Sequence, residues 1–141
     1  MHNLIDVRQH HEEHERNSSM AYDITVIIDD LPGTLAEVGE ILGDAGINID
    51  GYCSFPSGGK SYLHILVEDV DTARRIFLDK GIEVIQEREV LTVDMEDSPG
   101  TLGKVARRIA DAGVNIDMVY MGTNSRLVVA AFDLDRARSA L

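Results

Sequence analysis

The chain has 141 residues and a formal net charge of −12, with 25 acidic side chains against 13 lysines and arginines. That balance argues against a nucleic acid or an anionic membrane as partner, since both would be repelled and no basic patch compensates. Its single cysteine, Cys53, gives no disulfide framework and fits a reducing, cytoplasmic compartment, and no apolar run is long enough to span a bilayer.

Residues 1–19, MHNLIDVRQHHEEHERNSS, are polar, aperiodic and hold four of the five histidines. His10 and His14 stand one helical turn apart, but the composition reads as a tag or disordered leader ending before a natural start at Met20, and no metal is assigned to it. From there Ile24, Val26 and Ile28 alternate with Asp23, Thr25 and Ile27 and predict a strand over 22–29. Asp30-Leu-Pro-Gly-Thr follows, with Asp30 suited to N-capping and Pro32 to a first helical turn. Leu35, Val38, Ile41, Leu42 and Ala45 then predict a helix over 33–45 that ends on a left-handed Gly46.

A strand over 47–55, a turn, a strand over 61–68, a helix over 71–80 and a strand over 82–89 complete the first unit. Leu63, Ile65 and Val67 face the helices, and Asp50, Tyr52 and His64 the other side. By period two Cys53 shares the Ile47/Ile49 face, as a small core residue rather than a nucleophile. His64 reads as a solvated or interface residue, because catalysis would need a paired acid or nucleophile. Ser54-Phe-Pro-Ser-Gly-Gly-Lys60-Ser61 is one glycine short of a phosphate-binding loop, but it opens into a strand rather than a helix, so it predicts a hairpin.

Residues 30–50, DLPGTLAEVGEILGDAGINID, return at 97–117 as DSPGTLGKVARRIADAGVNID, with twelve of 21 positions identical. The chain is therefore a duplication of two subdomains, over 20–88 and 89–141, each too small to be more than marginal alone. Leu91, Val93 and Met95 predict the second copy's first strand. Leu102, Val105, Ala106, Ile109 and Ala112 give its helix stripe, ending at Gly113, and strands over 114–121 and 127–132 follow. Residues 134–141 begin a second helix and the chain stops before a fourth strand, which predicts a bare edge along 90–96.

The D-x-P-G-x-L loop, amphipathic helix and G-[IV]-N-I strand, present twice, resemble the ACT domain, a βαββαβ module that binds amino acids and regulates amino-acid metabolism. The resemblance covers 22–141 and implies an α+β, ferredoxin-like fold in two tandem copies, the second lacking its last strand. It also implies a ligand held where the loop of one unit faces the Asn-bearing strand of its neighbour. Here that means Asp30, Leu31, Gly33 and Asn48, with Asp97, Ser98, Gly100 and Asn115. Independently of the resemblance, a glycine-rich loop entering a helix offers free N–H groups at the positive end of the dipole, which suits a carboxylate. An aspartate at 30 and 97, where other members often carry asparagine, would attract an ammonium and repel a carboxylate.

Glu37, Glu40 and Asp44 make the first loop helix acidic, and Lys104, Arg107 and Arg108 make the second basic. Solvated faces explain this, as would helices that pack together with opposite charges choosing which copy meets which. The expectation is a cytoplasmic, non-enzymatic regulatory or sensor protein. It would take a small amino acid as ligand, no cofactor or metal, and a second copy of itself as partner. The alternatives are a regulatory subunit of an amino-acid metabolic enzyme and a purely structural pairing module.

Overall fold

The computed structural model describes residues 21–141, and the leader reading of 1–19 lies outside them. In chain order the elements are β1 (Ala21–Asp29), α1 (Thr34–Asp44), β2 (Gly51–Ser57), β3 (Lys60–Val67), α2 (Val70–Asp79), β4 (Glu83–Asp94), α3 (Thr101–Asp111), β5 (Ile116–Gly122), a 3-10 turn (Thr123–Ser125), β6 (Arg126–Ala131) and α4 (Leu134–Ser139). The first copy is βαββαβ. The second has the same order and stops after its second helix, as the duplication predicts.

The strands expected over 82–89 and 90–96 are one. Between Glu83 and Asp94 there is no Gly, Pro or Asn to turn the chain, so β4 runs straight from one copy into the other. Its first part, to Val90, pairs antiparallel with β1, and Leu91 to Asp94 pair with β6. The second copy's first strand is thus the continuation of the first copy's last strand, and among the described strands Leu91 to Asp94 pair with β6 alone, so their other edge is bare as the sequence predicts, while Val90 is paired with β1.

All pairings are antiparallel and run β1-β3-β2-β5-β6-β4 and back to β1, a closed ring of six strands. Apolar residues fill three places. Ile24, Val26, Leu63, Ile65 and Val67 pack under α1 and α2 with Val38, Leu42, Ala73 and Phe77. Leu91, Leu127, Val129 and Ala131 pack under α3 and α4 with Val105, Ile109 and Ala137. The alternate strand positions Leu66, Val90, Tyr120, Val128 and Ala130 meet inside the ring, between the two copies.

The helix ends differ from the expected caps. The N-cap of α1 is Gly33, at φ 91°, and that of α3 is Gly100, at φ 90°, with no side-chain cap on either. Asp30 and Pro32 stay in the turn ahead of the helix, because Thr34 ties that turn down by donating its hydroxyl to the carbonyls of Asp29 (2.7 Å) and Leu31 (2.9 Å). At the other end Gly46 (φ 73°) and Gly113 (φ 76°) adopt the left-handed conformation the sequence predicts.

Cys53 is not core. Residues 47–50 leave the extended strand pattern and β2 begins only at Gly51, so the period-two phase of Ile47 and Ile49 does not carry forward. Cys53 instead pairs across the strands with His64 and is exposed, whereas Tyr52 pairs with Ile65 on the helix side.

The ring closes between β2 and β5 through one residue pair, Gly51 opposite Gly122. A Cβ on Gly122 would lie 2.7 Å from the Asp50 carbonyl oxygen, a backbone atom with no rotamer to escape into. Gly122→Ala is therefore expected to lower stability by roughly 1–3 kcal/mol, read from a urea melt, whereas Gly39→Ala, within α1 and with open space around its Cβ, does not.

Candidate functional site

The two glycine loops and the two asparagines expected to bind ligand are all at the surface. Asp30 donates its N–H to the carbonyl of Gly59 in the β2–β3 turn (3.2 Å), and Leu31 is 63% exposed beside it. Gly33 then opens α1. Asn48 lies beyond the other end of that helix, roughly 16 Å away for eleven residues. The loop and the asparagine of one copy are therefore not brought together by their own fold.

Asn48 lines a cleft of about 330 Å³ with Gly46, Asp50, Glu68, Asp69 and Thr72. Its Nδ2 donates to Asp50 Oδ1 at 2.6 Å. Asp69 is committed to capping α2, accepting from the N–H (3.1 Å) and hydroxyl (2.6 Å) of Thr72, and those two bonds hold its carboxyl below the usual range. A second hollow, about 280 Å³, adjoins the first glycine loop between Asp29, Thr34, Glu37, Lys60 and Glu83.

In the second copy Asp97 is exposed, and Ser98 shares a 3.0 Å hydroxyl contact with Thr101 ahead of Gly100. Asn115 Nδ2 donates to Asp117 at 3.4 Å, repeating the Asn48 arrangement. The β5–β6 turn joins this loop's end of the molecule to the Asn48 segment. Thr123 donates its N–H to the Asp50 carbonyl (2.7 Å), and Met95, two residues before Asp97, donates to the Ser125 carbonyl (2.8 Å). The second loop and the first asparagine thus share one end, while the first loop stands at the other.

The charged faces of the loop helices are exposed, and none of the described ion pairs joins α1 to α3. Those helices cover separate cores, so within one chain the solvated reading describes them.

Sequence reasoning missed a buried polar cluster inside the ring. Asp23 is fully buried and accepts from the Tyr120 hydroxyl (2.8 Å) and the Thr25 hydroxyl (2.8 Å), and its Oδ2 lies 3.0 Å from Nδ1 of His64. The alternation of β1 signalled one buried face, and its polar positions read as solvent-facing because nothing local says that the second copy covers them. The acid that His64 lacked in the sequence is therefore Asp23. Cys53 sits across from His64, yet no described hydrogen bond joins thiol to imidazole, and the cluster serves as a lock between copies. Burial, then the charge and hydrogen bond of Asp23, push the Tyr120 hydroxyl well above its ordinary pKa. Among the described residues no group of three His, Cys, Asp or Glu is placed to hold a metal ion.

The family model described as ACT domain matches this chain twice, over residues 22–76 and 90–140. Among solved structures, a protein from Bacteroides thetaiotaomicron is 25% identical, with a TM-score of 0.77 over 89% of this chain and 88% of that one. The regulatory subunit of aspartate kinase from Thermus thermophilus, in its ligand-free form, is 23% identical with a TM-score of 0.66, over 85% and 89%. That from Thermus flavus is 21% identical with a TM-score of 0.66, over 86% and 90%. At that identity the two subunits show the shared fold alone. No curated protein matches the chain.

Tyr120→Phe leaves Asp23 one donor short and is expected to cost roughly 1–3 kcal/mol at neutral pH. A raised Tyr pKa favours folding fully below the unfolded value of about 10, and that share is lost as pH climbs beyond it. Urea melts through alkaline pH should therefore show wild type losing more stability than Tyr120→Phe.

Proposed function

The chain belongs to the ACT domain family, and from that membership we propose that it is a non-enzymatic regulatory module that senses a small amino acid. The observation that carries this reading is the repetition of one device. At Gly33 and again at Gly100 a left-handed glycine starts a helix that no side chain caps, and each helix leads to an asparagine at its far end. Uncapped first-turn N–H groups receive a carboxylate, and bare glycine lets it approach the backbone. Asp30, Leu31 and Gly33, or Asp97, Ser98 and Gly100, form one wall of the site, and Asn48 or Asn115 the other.

Because loop and asparagine of one copy lie at opposite ends of a helix, a complete site takes its two walls from different copies. The chain supplies one such approach itself, with the second loop and Asn48 at a common end. A site using the Asp30–Gly33 loop draws its asparagine from a neighbouring chain, and this supports a homodimer or higher symmetric assembly. The likeness in fold to regulatory subunits of aspartate kinase supports a second reading, in which the chain attends a separate enzyme of amino-acid metabolism.

An amino acid of about 7–10 heavy atoms is expected to bind with a dissociation constant roughly between micromolar and millimolar, a range suited to sensing a metabolite pool. A thermal-shift screen of the twenty amino acids should find at least one that raises the melting temperature. Gly33→Val or Gly100→Val should abolish that rise where the variant stays folded by circular dichroism. Asn48→Ala should weaken binding by on the order of 1 kcal/mol. Calorimetry showing unchanged affinity in both folded glycine variants removes this placement, and a monomer mass by light scattering at protein concentrations on the order of tens of micromolar removes the assembly.

A further inference from the structure

Each repeat closes on the triplet Asn-Ile-Asp, residues 48–50 and 115–117, and the loop-and-asparagine site leaves its aspartate without a role. Both aspartates accept a hydrogen bond from the asparagine two residues earlier, at 2.6 Å for Asn48 on Asp50 and 3.4 Å for Asn115 on Asp117. A carboxylate only accepts, so it settles which end of the amide faces it: the NH2 turns inward and Oδ1 is left outward. Resting on the amino-acid reading above, we infer that Asp50 and Asp117 are positioning residues that keep the carbonyl oxygens of Asn48 and Asn115 presented to the ligand, so that each asparagine receives an ammonium and not a carboxylate.

Two further observations agree. The Asn48 cleft is also lined by Glu68 and Asp69, whose charge disfavours a carboxylate there and leaves the ligand's own carboxylate to the N–H groups of a glycine loop. Moreover, each aspartate is itself held from the other copy. The Asp50 carbonyl accepts from the N–H (2.7 Å) and hydroxyl (3.1 Å) of Thr123, next to the Gly51–Gly122 seam. Asp117 Oδ2 accepts from the Arg88 guanidinium at 3.1 Å, and Arg88 lies in the part of β4 that pairs with β1, opposite Asp23. The carboxylate that orients Asn115 is thus held by a residue of the other copy, whereas at Asp50 it is the backbone that the second copy fixes.

The orientation is testable on the full chain without ligand, by nitrogen-15 NMR of the asparagine side-chain amides. In wild type the two Asn48 amide protons should be well separated, one of them slow to exchange. Asp50→Ala should bring them together and speed that exchange roughly tenfold, as expected for loss of a hydrogen bond to a charged acceptor. Arg88→Met should act likewise on Asn115, and Arg88→Lys should restore part of the effect, which a merely structural loss would not. The binding arm uses a mixture of the twenty L-amino acids against the corresponding 2-hydroxy acids. Wild type should prefer the amino acids, and Asp50→Ala should narrow that preference roughly tenfold. Asn48 amide signals indifferent to Asp50→Ala, or an unchanged preference in the folded variant, overturns the inference. A wild type that responds to neither mixture overturns the amino-acid reading instead, and the ligand-free amide signals still decide whether the aspartates orient the asparagines.

Discussion

The carboxylate of Asp23 has no access to water, and the pairing of the two copies turns on how it is satisfied. A buried carboxyl is tolerated only with its polar atoms partnered, and here the partners come from three strands: Thr25 on β1, His64 on β3 and Tyr120 on β5. The last of these belongs to the second copy. Were the copies to part, Asp23 would lose the Tyr120 hydroxyl, and the apolar residues inside the ring, Leu66, Val90, Val128 and Ala130, would meet solvent. The polar contact sets register between copies, and the apolar surface around it supplies the drive.

Much of this was legible in the chain. The duplication, the inner part of each helix stripe (Val38 and Leu42, Val105 and Ile109) and the left-handed glycines at 46 and 113 rest on local patterns that tertiary structure had no reason to override, whereas Leu35 and Leu102 at the head of each stripe are exposed. What escaped notice involves the second face of the sheet. Strand alternation marks Asp23 and Thr25 as the polar side, and period two says nothing of whether that side is wet. Cys53 was misplaced for a related reason, since a phase read from Ile47 is valid only while the strand is continuous, and residues 47–50 are not strand. The fused β4 was foreshadowed by the absence of any turn residue between Glu83 and Asp94, a signal outweighed by the expectation of two separate units.

The candidate site was legible as residue types and less so as an arrangement. Gly33, expected as the first helical residue, is instead a left-handed N-cap, as is Gly100, and Asp30 does not cap its helix as its position suggested. No side chain caps either helix start, and the Thr34 and Thr101 N–H groups turn back to the Leu31 and Ser98 carbonyls at 3.4 Å. Which loop lies at the same end of the molecule as which asparagine follows from helix length and from the β5–β6 turn, neither of which a motif encodes.

The uninterrupted course of β4 bears on how such a chain can change over evolutionary time. In most tandem arrays the units are strung on linkers, and recombination can add, lose or exchange one of them. Here a cut between the halves falls within a strand whose hydrogen bonds serve both copies. A half released that way would carry away a strand with which the remainder pairs. Within that constraint the two copies have diverged at their surfaces, with an acidic loop helix in the first and a basic one in the second.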